Sequence, residues 1–294
     1  MNARSSAAEQ KFTIFEEAER PNSILIGITG RYGTGKTETS LRLCFRVAKQ
    51  FGGRVGVIDL ENRRAGVYQN RFGVFRHLCM NGEGVEEVEP TSDNVTAAFR
   101  TLDAQGCASI IIDGITSEWE NCVARAGKDF RNWDGVKVPH KKMLDEFQRA
   151  RARVVILTFK AEEKFAMVEG VNEAGVRQKP KVVSLGEKHR QDKELPYYLD
   201  LFIRMDEEDG QPVARIGLKS RFDGLKNRTI VCPDLELAEP VLEYLGADPA
   251  PKVVEEGAAR DLLGRVQVLS GPCRVRFKNW MAGVGVDRLS KLPT

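Results

Sequence analysis

Four runs of consecutive apolar, largely β-branched residues punctuate the chain: Ser23 to Thr29, Arg54 to Leu60, Ala108 to Ile112 and Arg153 to Phe159. Unbroken runs of this length predict strands buried on both faces. Between them the apolar positions shift to helical spacing. Leu41, Leu43, Cys44, Val47 and Phe51 follow the first run. Val95, Ala98, Phe99 and Leu102 mark a helix from Asp93 to Gln105, with Ser92 as its N-cap. Ser117 to Ala126 reads as helix, and so does His140 to Ala150 with Met143, Leu144 and Phe147. Strands alternating with helices predict an α/β fold, a mostly parallel central sheet with helices on both faces.

Shorter patterns complete the core. Phe75 to Met80 predicts a short strand. Leu199 to Met205 and Pro212 to Leu218 predict an antiparallel pair around Asp206 to Gln211. Arg228 to Val231 closes the core, and Cys232-Pro233-Asp234 breaks it. Lys164 to Gly170 and Gly175 to Leu185 flank a hairpin-type turn, Asn172-Glu173-Ala174-Gly175. The organisation that follows is a tail (residues 1–10), a core (11–234) and a small helical region (235–294). Within the last, Leu237 to Leu245, Glu255 to Leu269 and the basic Arg274 to Met281 predict short helices. In the first part of the core, Lys11 to Ala18 predicts an edge strand. Its Phe15-Glu16-Glu17-Ala18 is either an ordinary strand end or the F-x-x-A spacing that some recombinase filaments use for docking.

The 294 residues fit one large domain with an appendage. The net charge of only +3 means that any nucleic-acid contact must come from local patches. Six cysteines and three histidines show no C-x-x-C pair and no zinc spacing, which predicts reduced thiols. No apolar run approaches the roughly 20 residues that span a bilayer. The polar start, Met1 to Ser6, does not look like a secretory signal. A cytoplasmic location, with no membrane partner, is the expectation.

The chemistry concentrates after the first strand. Gly30-Arg31-Tyr32-Gly33-Thr34-Gly35-Lys36-Thr37 reads G-x-x-x-x-G-K-T, between a strand and a helix. That context predicts a phosphate-binding loop. Glycines let the backbone N–H groups wrap an anion, and the helix N-terminus adds roughly half a positive charge. Gly30, Gly33, Thr34, Gly35, Lys36, Thr37 and Glu38 are the expected nucleotide contacts. Lys36 is expected to reach the β- and γ-phosphates and Thr37 to hold Mg²⁺. The strand ending at Asp113 has the Walker-B pattern, so Asp113 is the second expected magnesium ligand. Asp59 and Glu61 end the second strand. Glu61 is either the base that activates water or a solvated strand-end acid; Asp59 either assists the metal or holds Glu61 in place.

Two segments carry cations. Gly127 to Val138 has no clean period and reads as a loop holding Arg131, Trp133 and Lys137. Such a loop suits single-stranded nucleic acid, unless Trp133 folds back onto the core. The arm after the fourth strand carries Arg177, Lys179, Lys181, Lys188 and Arg190, either a DNA contact or a solvated face.

Taken in order, Gly30 to Thr37, Val57-Ile58-Asp59-Leu60-Glu61-Asn62 and Ile110-Ile111-Ile112-Asp113 resemble the RecA-like ATPase core. The pattern looks closest to phage-borne nucleotide-binding proteins of that type, some of them single-strand-annealing recombinases. The resemblance covers about residues 11 to 231. It implies ATP and Mg²⁺ as cofactors, Glu61 as the water-activating acid, and DNA binding by Gly127 to Val138 and Lys160 to Asp192. It implies a homo-oligomer, ring or filament, in which Lys219 and Arg221 reach a neighbour's ATP. It further implies single-stranded DNA as partner, a single-strand-binding protein as a second one, and the bacterial cytoplasm as location. The family's strand-end glutamine has no match; Thr158 or Lys160 stands there. The alternatives are a nucleotide-dependent adaptor or loader, and a small-molecule kinase whose cationic lid would have to be Arg63-Arg64.

Overall fold

In the computed structural model, which describes residues 23–168 and 181–247, the chain alternates as its pattern requires. It runs β1 (Ile24–Gly30), α1 (Lys36–Phe51), β2 (Arg54–Asp59), the short α2 (Gln69–Phe72), β3 (Arg76–Cys79), α3 (Ser92–Ala104), β4 (Cys107–Asp113) and α4 (Thr116–Ala126). There follow α5 (Trp133–Gln148), β5 (Val154–Val168), β6 (Lys181–His189), the short α6 (Leu195–Tyr198), β7 (Leu201–Glu208), β8 (Gln211–Ser220), β9 (Thr229–Val231) and α7 (Leu235–Tyr244).

The strands join in the order β3-β2-β4-β5-β1-β7-β8-β9, with β6 attached to β5 alone. All pairings from β3 across to β7 are parallel, whereas β8 and β9 are antiparallel. This is the expected mostly parallel sheet. Residue alternation divides each strand between two faces. Ile24, Ile26, Ile28, Val57 and Ile156 face α1 and α7, against Leu41, Val47, Leu237 and Val241. Leu25, Ile58, Ile112, Val155 and Leu157 face α3 and α5, against Phe99, Leu102, Leu144 and Phe147. Each such buried aliphatic side chain contributes about 1.5–3 kcal/mol.

Parallel strands end on one rim, and that rim carries Gly30, Asp59, Asp113 and Lys160. β5 sits between β1 and β4. Its first part pairs with β1 from Ile24↔Val154 to Gly30↔Lys160. It then leaves the sheet and pairs with β6 alone, from Ala161↔His189 to Val168↔Lys181. The strand to Phe159 and the first half of the arm are thus one continuous β5.

Two local expectations need correction. The cap of α3 is Thr91, whose hydroxyl accepts Asn94 N at 3.2 Å. Ser92 instead turns inward and donates to buried Glu118 Oε1 at 2.5 Å. The second concerns Gly127 to Val138, which is largely helical, since α5 begins at Trp133. Gly135 and Pro139 hide the stripe in the sequence, yet Val136, His140, Met143, Leu144 and Phe147 form one buried face. α7 packs into the same core as α1, and Asp234 before it binds Arg46 at 2.6 Å and Arg42 at 3.4 Å. The tail, the Lys11 to Ala18 strand with its F-x-x-A spacing, the 172–175 turn, and the helices beyond residue 247 lie outside the described residues. No helix among the described residues is long and apolar enough to cross a membrane.

Candidate nucleotide-binding site

Between β1 and α1 the loop turns on Gly33 (φ 82°) and Gly35 (φ 86°), both left-handed. No side chain caps α1, so its first N–H groups stay free for an anion. Thr34 Oγ1 donates to Arg31 O at 2.9 Å and braces the loop. Lys36 Nζ bridges Gly30 O at 3.0 Å and Arg31 O at 2.8 Å, curled over the space the loop encloses. Burial pulls the Lys36 pKa below its usual value, although Glu61 and Asp113 oppose this.

At the end of β4, Asp113 receives the Thr37 hydroxyl at 3.0 and 3.1 Å. Thr158 on β5 donates its hydroxyl to Asp113 Oδ1 at 2.6 Å and accepts Gly114 N at 2.8 Å. Burial, together with the Glu61 and Asp59 charges, raises the Asp113 pKa to about 6, against the Thr158 and Thr37 hydrogen bonds. A buried carboxylate under such pressure favours a cation beside it. Thr37 and Asp113 therefore fit Mg²⁺, whose preferred ligands are oxygens.

Glu61 lies against the turn after β4: a Cβ built on Gly114 would fall 2.5 Å from Glu61 Cγ. Only glycine permits this approach, and its φ is 83°. Asp59 resolves the choice left open above. Its Oδ1 accepts Glu61 N at 2.8 Å, and its Oδ2 accepts Ala65 N at 2.9 Å and meets His77 Nε2 at 3.0 Å. Burial alone would raise the Asp59 pKa, but hydrogen bonds from His77, Ala65 N and Glu61 N hold it below the ordinary value. Asp59 is thus a fixed acceptor that shapes the Glu61 loop. After Glu61 the backbone passes through two left-handed residues, Asn62 and Arg63 (φ 60° each). Asn81 Oδ1 accepts Asn62 N at 2.9 Å, and Arg63 Nη1 donates to Glu83 O at 2.6 Å.

These groups surround one cleft of about 410 Å³, lined by the loop, Lys36, Thr37, Glu61, Asp113, Tyr32, Arg64 and Tyr68. Glu38 also lines it, with its carboxylate tied to Arg42 at 2.7 Å and Arg71 at 2.9 Å. The family model described as AAA domain (AAA_24) matches residues 22–229. The chain belongs to this AAA domain family. Among solved structures, the KaiC-like protein PH0186 from Pyrococcus horikoshii OT3 is similar at 14% identity and a TM-score of 0.43, over 71% of this chain and 84% of that one. No curated protein matches the chain.

Not every expected residue of this AAA domain reaches the cleft. β8 runs antiparallel to β7, with Ser220 opposite Leu201 at the start of that strand. Lys219 and Arg221 therefore lie toward the sheet edge opposite Gly30, away from the chain's own cleft. Arg221 Nε is bound to Asp200 Oδ1 at 2.9 Å. Lys160 is exposed on the rim and close enough to Lys36 to disfavour its charge.

Of the two readings left open for Trp133, the packing follows the one in which it folds back onto the core. Trp133 packs on Trp119 at 6.1 Å, against Cys122, Ala126 and Val136. Lys137 Nζ lies 5.9 Å from the Trp133 ring, and Arg131 pairs with Asp129 at 3.3 Å. Arg190 pairs with Glu120 at 3.1 Å. The backbones of Lys181 and Lys188 are on β6, opposite Val168 and Glu162. Arg177 and Lys179 lie outside the described residues. The resemblance put Thr158 or Lys160 at the strand-end position without giving either a role, because a lone strand threonine carries no signal of its own. Its role comes from the insertion of β5 beside β4.

Proposed function

We propose that the chain hydrolyses ATP and uses the cycle on single-stranded DNA, in recombination or annealing. The convergence of Lys36, Thr37, Asp113 and Glu61 on one cleft carries the hydrolytic part. Bound Mg²⁺–ATP would supply the scissile phosphoanhydride and the charge that steadies its phosphates. The N–H groups of the loop and of the first turn of α1 bind the anion. Lys36 exchanges its carbonyl partners for phosphate oxygens, while Thr37 and Asp113 hold the cation. Glu61 orients a water and takes its proton, and Asp59 keeps Glu61 aimed.

Support for the DNA part is the β5–β6 arm, which rises from the rim beside Lys160 and whose sequence holds Arg177, Lys179, Lys181 and Lys188. The arm is a direct extension of the strand whose Thr158 touches Asp113. Lys219 and Arg221, unable to serve their own cleft, suit a neighbour's in a ring or filament. A single-strand-binding protein as partner and a cytoplasmic setting belong to the same reading. A second reading, a nucleotide-dependent adaptor or loader, is favoured by Trp133 being engaged within the chain. A kinase finds less support: Arg63 is committed to Glu83 O, and Arg64 lies 6.0 Å from the Tyr32 ring.

The test is ATP turnover with and without single-stranded DNA, beside DNA binding at low salt. Stimulated turnover and binding support the reading. Turnover indifferent to DNA, with no binding, overturns the DNA part and leaves the adaptor.

A further inference from the structure

Behind Glu61, on the side of Asp59 away from the nucleotide cleft, three different ligand atoms face one another. His77 Nε2 is 3.0 Å from Asp59 Oδ2 and 3.3 Å from Cys79 Sγ. All three atoms lie within 4.8 Å of one another. Strand geometry builds the set: His77 and Cys79 alternate onto the same face of β3, and parallel register sets Cys79 opposite Asp59. Asp59 and Cys79 meet the same ring nitrogen, so the histidine cannot relay a proton between them as it would in a nucleophile–base–acid chain. A shared focus suits a metal ion instead. The side chains of His77 and Asp59 are 14% and 0% exposed. A cleft of about 820 Å³, lined by His77, Cys79, Arg63, Glu83 and Val85, opens onto them from solvent.

We propose that Asp59 Oδ2, His77 Nε2 and Cys79 Sγ bind a borderline-soft divalent cation of the zinc class, with a water from the cleft as fourth ligand. Carboxylate, imidazole and thiolate together select such ions over Mg²⁺. Burial holds the Cys79 proton more firmly than water does, Asp59 adds to this and Arg63 opposes it. The ion supplies the charge that releases that proton to solvent. The sequence hid the site because its third ligand comes from β2, eighteen residues before the His-x-Cys pair. The ion replaces the His77–Asp59 hydrogen bond and leaves Asp59 Oδ1 on Glu61 N. It thereby pins the carboxylate that aims Glu61. The binding does not rest on the ATPase reading; only this consequence does.

A second trio, Glu118, Cys122 and His140, is wholly buried, with Glu118 already filled by Ser92 and His140. It offers no entry, and it serves as a control. Co²⁺ alone is titrated into the full-length, chelator-treated chain and followed by absorbance. The expected result is a thiolate-to-cobalt charge-transfer band that disappears in Cys79→Ser, weakens in His77→Gln and persists in Cys122→Ser. Zn²⁺ then raises the melting temperature of the parent chain and not of Cys79→Ser. No band in the parent, or a band that survives Cys79→Ser, overturns the site. Neither readout uses hydrolysis, so an inactive ATPase and an absent metal site give different results.

Discussion

Asp59 Oδ1 accepts the backbone N–H of Glu61 at 2.8 Å, so the first acid at the end of β2 aims the second. The pair divides its work. Glu61 borders the nucleotide cleft, while Asp59 is spent on the loop that carries Glu61 and on His77. Replacing Asp59 by asparagine sets an NH₂ group against one of these donors. Turnover is expected to fall by roughly 10²-fold, as a displaced reacting group entails. Nucleotide affinity stays near the parent value, because Asp59 is no part of the cleft wall. Steady-state hydrolysis beside equilibrium binding of a fluorescent nucleotide reads the two separately.

Gly114 gives a steric version of the same relationship. Gly114→Ala forces a left-handed alanine, costing about 1–2 kcal/mol, and drives a methyl group into Glu61. Lower stability with a larger loss of turnover than of nucleotide binding is expected, from denaturant midpoints and kinetics on one preparation.

Trp133 supports the α4–α5 corner through Trp119. Trp133→Ala should lower stability by about 1–3 kcal/mol. It should leave single-stranded DNA affinity unchanged, where loss of a base-stacking ring would cost about 1–3 kcal/mol. Chemical denaturation and low-salt DNA binding check both halves.

Asp234 fastens α7 to α1. The Arg46 hydrogen bond, with Arg42 beyond it, holds the Asp234 pKa below its usual 3.8 despite partial burial. A depressed carboxylate contributes stability above its unfolded pKa and loses it as pH falls through the folded value. Asp234→Asn should therefore destabilise the chain at pH 7, by no more than about 1 kcal/mol for a part-exposed pair. The difference should vanish well below pH 3.8. Urea midpoints of both proteins across that range provide the measurement.

The parallel sheet was legible because Ile24 to Thr29, Val55 to Leu60 and Val154 to Phe159 are buried on both faces and leave no alternative period. The phosphate loop was legible because its spacing is local. What the sequence missed or left open depends on neighbours distant in the chain. Thr158 gains its role only when β5 enters beside β4. His77 and Cys79 gain theirs only when β3 falls into register with β2. Trp133 looked like a loop residue because Gly135 and Pro139 mask a helix that tertiary packing sustains. The sequence left Asp59 open between assisting a metal and holding Glu61 until the turn after β2 brought Glu61 N, Ala65 N and His77 to its carboxylate.

In the proposed function, Glu61 activates water in a cleft built by Lys36, Thr37 and Asp113. Single-turnover hydrolysis of Mg²⁺–ATP by Glu61→Gln, with nucleotide affinity measured on the same protein, separates that role from binding. The expected result is retained affinity with hydrolysis slowed by about 10²–10⁴-fold. Hydrolysis at the parent rate, with nucleotide bound, would contradict it.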